Sequence, residues 1–301
     1  MDFGRVDAST LSEIDFKLPP DPPQTSRVLA ASPNRGKPEV FVGCAKWGRP
    51  DWVGKLYPKG TKASDFLHEY AKNFNCIELN SIFYKLPSIT QVKSWKSKVG
   101  KDFKFCPKFS DVITHLKRLK NVRVELDKFL EVIYELGDNC GPLFLMPHPQ
   151  MGPTQFETIE SFMTSLPKDL DVFLEFRHPS WFTPPHYGIA FDWLEKNNFG
   201  AVITDVTGRR DCVHMHLTKP EAFIRFVGNS LHPSDYERID DWVQRINRWL
   251  AQGLSQCYFF MHQHEELHSP ELCKYLIEEL NKECNLSLQT PKFITRTTLF
   301  D

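Results

Sequence analysis

From Glu39 onward the sequence alternates short apolar runs with longer stretches whose apolar residues recur every three or four positions. The runs at 40–47, 76–80, 103–109, 142–147, 172–177, 201–206, 223–228 and 257–263 have strand length. Being apolar on both faces, they predict eight strands covered by helices. Between them Leu126, Phe129, Leu130, Ile133 and Leu136 form one helical stripe. Tyr236, Ile239, Trp242, Val243, Ile246, Trp249 and Leu250 form another. Ser88, Thr154 and Ser234 are each followed three positions later by Gln or Glu, the capping-box pattern that satisfies orphan amides at a helix start. Ser269-Pro270 reads as an N-cap followed by proline at the first helical position.

Units of roughly 32 residues, repeated eight times over about 260 residues, predict an α/β fold of the (β/α)8 TIM-barrel type, one domain spanning 39–301. The unit between the sixth and seventh strands is irregular: 207–222 has no helical period, and 212–217 alternates like a short strand. An open doubly wound sheet is the competing architecture, but no glycine-rich phosphate loop follows the first strand. Residues 1–38 read as a proline-rich N-terminal tail, loose or laid along the domain surface. Prolines in 18–23 and 32–38 lack the amide donor and restrict their predecessors, so regular elements are not expected there.

Composition narrows the function classes. The 37 Lys and Arg balance 38 Asp and Glu, leaving a net charge of −1. That excludes a dedicated nucleic-acid coat protein, while leaving room for a local basic groove. No apolar run approaches the roughly 20 residues of a membrane span. The first fifteen residues carry acids where a secretion signal is basic and then apolar. The expectation is a cytoplasmic protein with no membrane partner. The eight cysteines contain no CxxC pair. Cys44, Cys76, Cys106 and Cys140 recur once per structural unit and read as small buried hydrophobes.

In barrels of this type the reacting groups project from the carboxyl ends of the strands. The polar residues that interrupt the runs there are Lys46 and Trp47, Glu78 and Asn80 with Tyr84 beyond, and Lys108 with His115 in its loop. They continue with Glu175 and Arg177 followed by Trp181, then Asp205, Arg225, and His262-Gln263-His264. Glu78 and Asn80, like Glu175 and Arg177, lie two residues apart in a strand and share a face. A charge in an apolar strand needs a partner or a task. Glu78 and Glu175 are therefore expected as catalytic acid and base, with His115 or His262 assisting proton transfer. The competing reading is a structural ion pair, Glu175 with Lys108 or Arg225.

Lys46, Lys108, Arg177 and Arg225 would make a small anion pocket, joined in substrate binding by Asn80 and Asp205. Trp47, Tyr84, Trp181 and Phe182 offer aromatic faces to a sugar or base, or else roof the core. No cofactor is expected. The one metal arrangement to weigh is His262 with His264 plus Glu175 or Asp205, and a second His-x-His at His214 and His216 shows how easily that spacing arises.

At these residues the chain resembles the YecE-like family, domain of unknown function 72. Phe41-Val-Gly-Cys-Ala-Lys-Trp47, Trp52-Val-Gly-Lys-Leu-Tyr-Pro58 and Glu78-Leu-Asn-Ser-Ile-Phe-Tyr84 open the match. Phe105-Cys-Pro-Lys108, Ile113-Thr-His115, Gly141-Pro-Leu-Phe144, Glu175-Phe-Arg-His-Pro-Ser-Trp181 and Ile224-Arg225 follow in order. The resemblance implies a TIM-type barrel and leaves the reaction open. It maps the family's polar positions onto Glu78, Asn80, Tyr84, Lys108, His115, Glu175, Arg177, Trp181 and Arg225. Two departures stand out: Gly43-Cys44-Ala45-Lys46-Trp47 replaces the family's usual Gly-Thr-Ser-Gly-Trp, and the last strand ends in histidines where asparagines are usual.

The expected function is an enzyme acting on a small anionic or sugar- or nucleotide-containing substrate at the barrel mouth, by hydrolase- or lyase-type acid–base chemistry. The alternatives are a non-catalytic module binding phosphate or nucleic acid, and a metal-dependent hydrolase using His262 and His264.

Overall fold

The structure, a computed structural model, describes residues 3–32 and 36–294. Eight strands form where the apolar runs stand: β1 Glu39–Cys44, β2 Cys76–Leu79, β3 Lys104–Pro107, β4 Leu143–Leu145, β5 Val172–Leu174, β6 Gly200–Asp205, β7 Glu221–Gly228 and β8 Gln256–Gln263. All pairings are parallel. Six strands run in the order β1-β8-β7-β6-β5-β4, and β2 pairs with β3. Parallel bridges Phe105–Cys140 and Lys108–Phe144 connect β3 to β4. The result is a curled, barrel-like α/β fold.

The helices are α1 Pro23–Ala30, α2 Phe66–Ala71, α3 Ser81–Tyr84, α4 Ile89–Lys96, α5 Arg123–Tyr134, α6 Phe156–Thr164, α7 His186–Lys196, α8 Pro233–Gln252 and α9 Ser269–Glu283. Leu126, Phe129 and Ile133 of α5, and Ile239, Trp242, Val243, Ile246 and Trp249 of α8, are buried against the sheet. No helix among the described residues is long and apolar enough to cross a membrane.

No backbone ladder joins β1 to β2 among the described residues. Side chains take its place, because buried amides must find acceptors. Asn75 Oδ1 accepts from Val42 N and its Nδ2 donates to the Val40 carbonyl, both at 2.9 Å. The Tyr70 hydroxyl accepts from Cys44 N at 2.7 Å and donates to the Cys76 carbonyl at 2.9 Å. Gly43 permits the approach: a Cβ there would lie 2.2 Å from the Cys76 carbonyl oxygen.

The helix starts differ in part from the sequence pattern. Ser88 does cap α4, accepting from Gln91 N. At α8 the start moves to Pro233, and His232 Nδ1 accepts from Ser234 N at 3.2 Å, since proline is preorganised for the first helical position. Before α6, Gln155 Oε1 reaches back to Gly152 N at 2.8 Å, so Thr154 is not the cap. Ser269 is the first residue of α9 and donates to Glu266.

The N-terminal segment is more ordered than its prolines suggest. Pro23 opens α1, whose Val28 and Leu29 are buried. Asp21 accepts from Trp249 Nε1 at 3.1 Å and from Arg245, and Thr25 donates to the Met215 carbonyl at 2.8 Å. Residues 33–35 of the second proline-bearing stretch lie outside the described residues. Between β6 and β7 no α-helix forms: a turn at Arg210–Cys212 leads into buried, irregular chain, and 212–217 forms no strand.

Candidate functional site

Two rings of inward-facing side chains build the site. The lower ring is apolar: Phe41, Cys76, Cys106, Phe144, Phe173, Val202, Phe223, Tyr258 and Phe260 form one buried cluster. Strand side chains alternate between faces, so the residue two positions further along returns to the interior. Among those residues are Glu78, Lys108, Glu175, Thr204, Arg225 and His262, every one buried, with Gly43 and Met146 at the corresponding positions of β1 and the end of β4. The carboxyl end of the barrel therefore carries a layer of charge resting on aromatic rings.

Arg225 ties the layer together. Its Nε and Nη2 donate to the two Glu78 oxygens at 2.8 Å each, a bidentate fork. Its Nη1 donates to both Glu175 oxygens at 2.9 and 2.8 Å. Glu175 also accepts from Thr204 Oγ1 at 2.8 Å and from Arg177 Nε at 2.8 Å. Asn80 donates to Glu78 at 2.6 Å, and His262 Nε2 lies 3.1 Å from it. Burial raises the proton affinity of both carboxyls, but their partners outweigh it. Arg225 and His262 hold Glu78 well below the usual range. Arg177, Arg225 and Lys108 bring Glu175 down to about 2. Both are carboxylates at neutral pH, so neither is poised to donate a proton.

Lys108 has a different environment. Its Nζ sits over the Phe83 ring at 4.0 Å and 5.8 Å from the Phe144 centroid. No carboxylate lies within ion-pair distance of it among the described residues. Burial and the Arg225 charge push its amine down to about 8, while Glu175 and Glu78 partly offset them. His115 packs edge-on to the same Phe83 ring at 5.1 Å, with Nδ1 2.8 Å from Thr114 Oγ1. Burial, Lys108 and His148 lower it to about 4, so it is neutral at physiological pH.

Above this layer opens a cavity of about 390 Å³ lined by Ala45, Lys46, Trp47, Glu78, Asn80 and Tyr84. Lys46 and Tyr84 are exposed on its wall, and Trp47 is half-buried, edge-on to Trp95. Two expected binding residues lie elsewhere. Asp205 is one position out of phase with Thr204, so its side chain turns outward to accept from Arg238 and Trp242 at 2.7 Å each, and from Arg210. Trp181 is 2% exposed, tilted against the Phe176 ring and donating to the Met151 carbonyl, a wall of the core with no face left for a ligand.

Sequence reasoning missed Thr204 and Phe3. Thr204 is signalled by its spacing from Val202. Phe3, from the N-terminal segment, lies over the Arg177 guanidinium at 3.8 Å, and nothing in its local sequence announces that contact. Among the described residues no three His, Cys, Asp or Glu side chains group as a metal site. His262 is engaged with Glu78 instead.

Fold and site together define a barrel-like α/β protein with a buried Glu–Arg–Glu cluster at the carboxyl ends of its strands. The chain belongs to the family described as Protein of unknown function DUF72, which matches residues 41–294. It is 27% identical to the UPF0759 protein YecE of Escherichia coli K12, over 87% of this chain and 100% of that protein. It is 24% identical to the UPF0759 protein YunF of Bacillus subtilis, over 71% and 85% respectively. Crystal structures of DUF72 family proteins share the fold. One from Enterococcus faecalis has a TM-score of 0.65 at 17% identity, over 86% of this chain and 99% of its own. One from Thermotoga maritima has 0.63 at 21%, over 81% and 100%.

Proposed function

We propose that the protein is an enzyme that binds a small anionic or sugar-bearing substrate at the mouth of a TIM-type barrel and works on it by acid–base chemistry. The observation that carries this reading is the charge inventory of the buried layer. Glu78 and Glu175 neutralise Arg225 and Arg177, and Lys108 is the cation left over. One uncompensated positive charge on a largely buried side chain favours an anion. In this reading the two glutamates set the positions of the arginines, and the proton-carrying groups are Lys108 and His115. The cleavage class that fits such groups is hydrolase- or lyase-type.

The second reading, a non-catalytic module for phosphate or a nucleic-acid terminus, draws on the same engagement of both glutamates. A thermal-shift screen of small anions followed by turnover assays separates them. Anions should raise the melting temperature of the native protein, and Arg177→Gln or Lys108→Met should abolish the shift. Equal shifts in native and variant proteins would place the binding site elsewhere. Binding without turnover would select the second reading.

A further inference from the structure

We propose that Lys108 is an amine nucleophile that adds to the carbonyl carbon of its substrate, which makes the substrate class small anionic aldehydes and ketones. This rests on the mouth being an anion site, as argued above.

The geometry isolates one lysine. The chain contains a second buried lysine, Lys219, whose Nζ lies 2.6 Å from Asp171 and 3.0 Å from Glu221. Burial opposes the charge of Lys219, but those carboxylates overcome it and raise its proton affinity. Lys108 is equally buried, 8% exposed, and meets two aromatic rings instead. The charges that face it are Arg225, Glu175, Glu78 and Arg177. A buried lysine without a carboxylate partner is inclined to shed its proton, and a neutral amine is a nucleophile.

Its placement also suits the chemistry. Leu79 pairs with Pro107, so the next residues along each strand are Asn80, in the cavity wall, and Lys108. A ligand in the cavity therefore meets the neighbour of Lys108. Lys46, exposed on the cavity wall, is available to hold an acid group. The neutral Nζ forms a bond to the carbonyl carbon as the π pair moves to oxygen. A proton passes from nitrogen to that oxygen, giving a carbinolamine. The hydroxyl then takes a second proton and leaves as water, and a protonated imine remains. No oxidant or reductant takes part. The second proton comes from solvent, and His115, neutral, packs on the same Phe83 ring as the lysine.

Reductive trapping tests the idea. The full chain is incubated with glyoxylate and cyanoborohydride, and the modified lysines are mapped by mass spectrometry. At pH 7 an amine titrating near 8 is roughly one-tenth free base, against roughly one part in 2,500 for an ordinary lysine. Lys108 should therefore be labelled at least about tenfold faster than the exposed Lys62 and Lys101. Its rate should climb with pH and level off above about 8. Labelling of Lys108 no faster than Lys62 overturns the proposal. Glycolaldehyde, which carries no charge, tests the underlying reading separately. If it labels Lys108 as fast as glyoxylate does, the nucleophile is supported and the anion site falls. If glyoxylate is faster and Lys46→Gln removes only that advantage, both stand.

Discussion

Thr204 and Arg225 are register partners across β6 and β7, and both place a donor on the same Glu175 oxygen, at 2.8 and 2.9 Å. The pairing fixes a carboxylate inside the barrel from two adjacent strands. With Arg177 and Glu78 it forms one network, so removing any member disturbs the others.

Arg225→Met is expected to be costly. It strands two buried carboxylates, and breaking a buried pair from one side typically costs about 3–5 kcal/mol. Urea unfolding of the variant at pH 7 should show a loss of that order or no folded protein. Glu175→Gln should cost less, because the amide oxygen still accepts from Thr204. A loss smaller for Arg225→Met than for Glu175→Gln would contradict the network.

Asp205→Asn separates structure from ligand binding. Its carboxylate, held at about 2 by Arg238 and Arg210 despite the opposing effect of burial, anchors β6 to α8. Stability should fall by about 2 kcal/mol or more. Any anion-induced thermal shift should persist unchanged. Loss of that shift in a folded Asp205→Asn protein would restore the residue to the binding site.

Stability should begin to decline below about pH 6.5, earlier than carboxylate titration accounts for. Burial and His216 lower the His214 imidazole to about 3, against the carbonyl of Val202. The unfolded chain therefore binds the proton first. The neutral form's contribution is complete above the unfolded value and is lost as pH falls toward the folded one. The slope is about 1.4 kcal/mol per pH unit for one proton. Urea unfolding at pH 7.5, 6.5, 5.5 and 4.5 measures it, and a flat profile between 6.5 and 4.5 would refute it. Glu175, at about 2, adds its loss only from about pH 4 downward.

Gly43→Ala probes the junction of β1 and β2. The new methyl would overlap the Cys76 carbonyl, and overpacking of this kind costs about 1–3 kcal/mol. Hydrogen exchange should quicken at Val42 and Cys44, whose amides bind Asn75 and Tyr70. Unchanged exchange there would mean the strands absorb the methyl elsewhere.

The strands were legible in the sequence because burial on both faces leaves continuous apolar runs, and the ionic layer because Glu78, Glu175 and Arg225 break those runs. Asp205 breaks one too, and its nearness to the strand end points to the mouth although its side chain turns outward to Arg238 and Trp242. Its spacing of three from Val202, where Thr204 has two, carried the right answer. The cap at Ser234 gave way to His232 because Pro233 outcompetes it for the first turn. The contacts of Phe3, Asp21 and Thr25 bring together residues far apart in the chain, with no local pattern to mark them.

One amide has a consequence for the lifetime of the molecule. Asn75 supplies a donor and an acceptor where two strands lack a ladder. Hydrolytic deamidation would exchange the donor for an oxygen facing the Val40 carbonyl, turning an attraction into a repulsion. Chemical ageing at a single side chain would thus loosen the seam between β1 and β2, on the strand that carries Glu78.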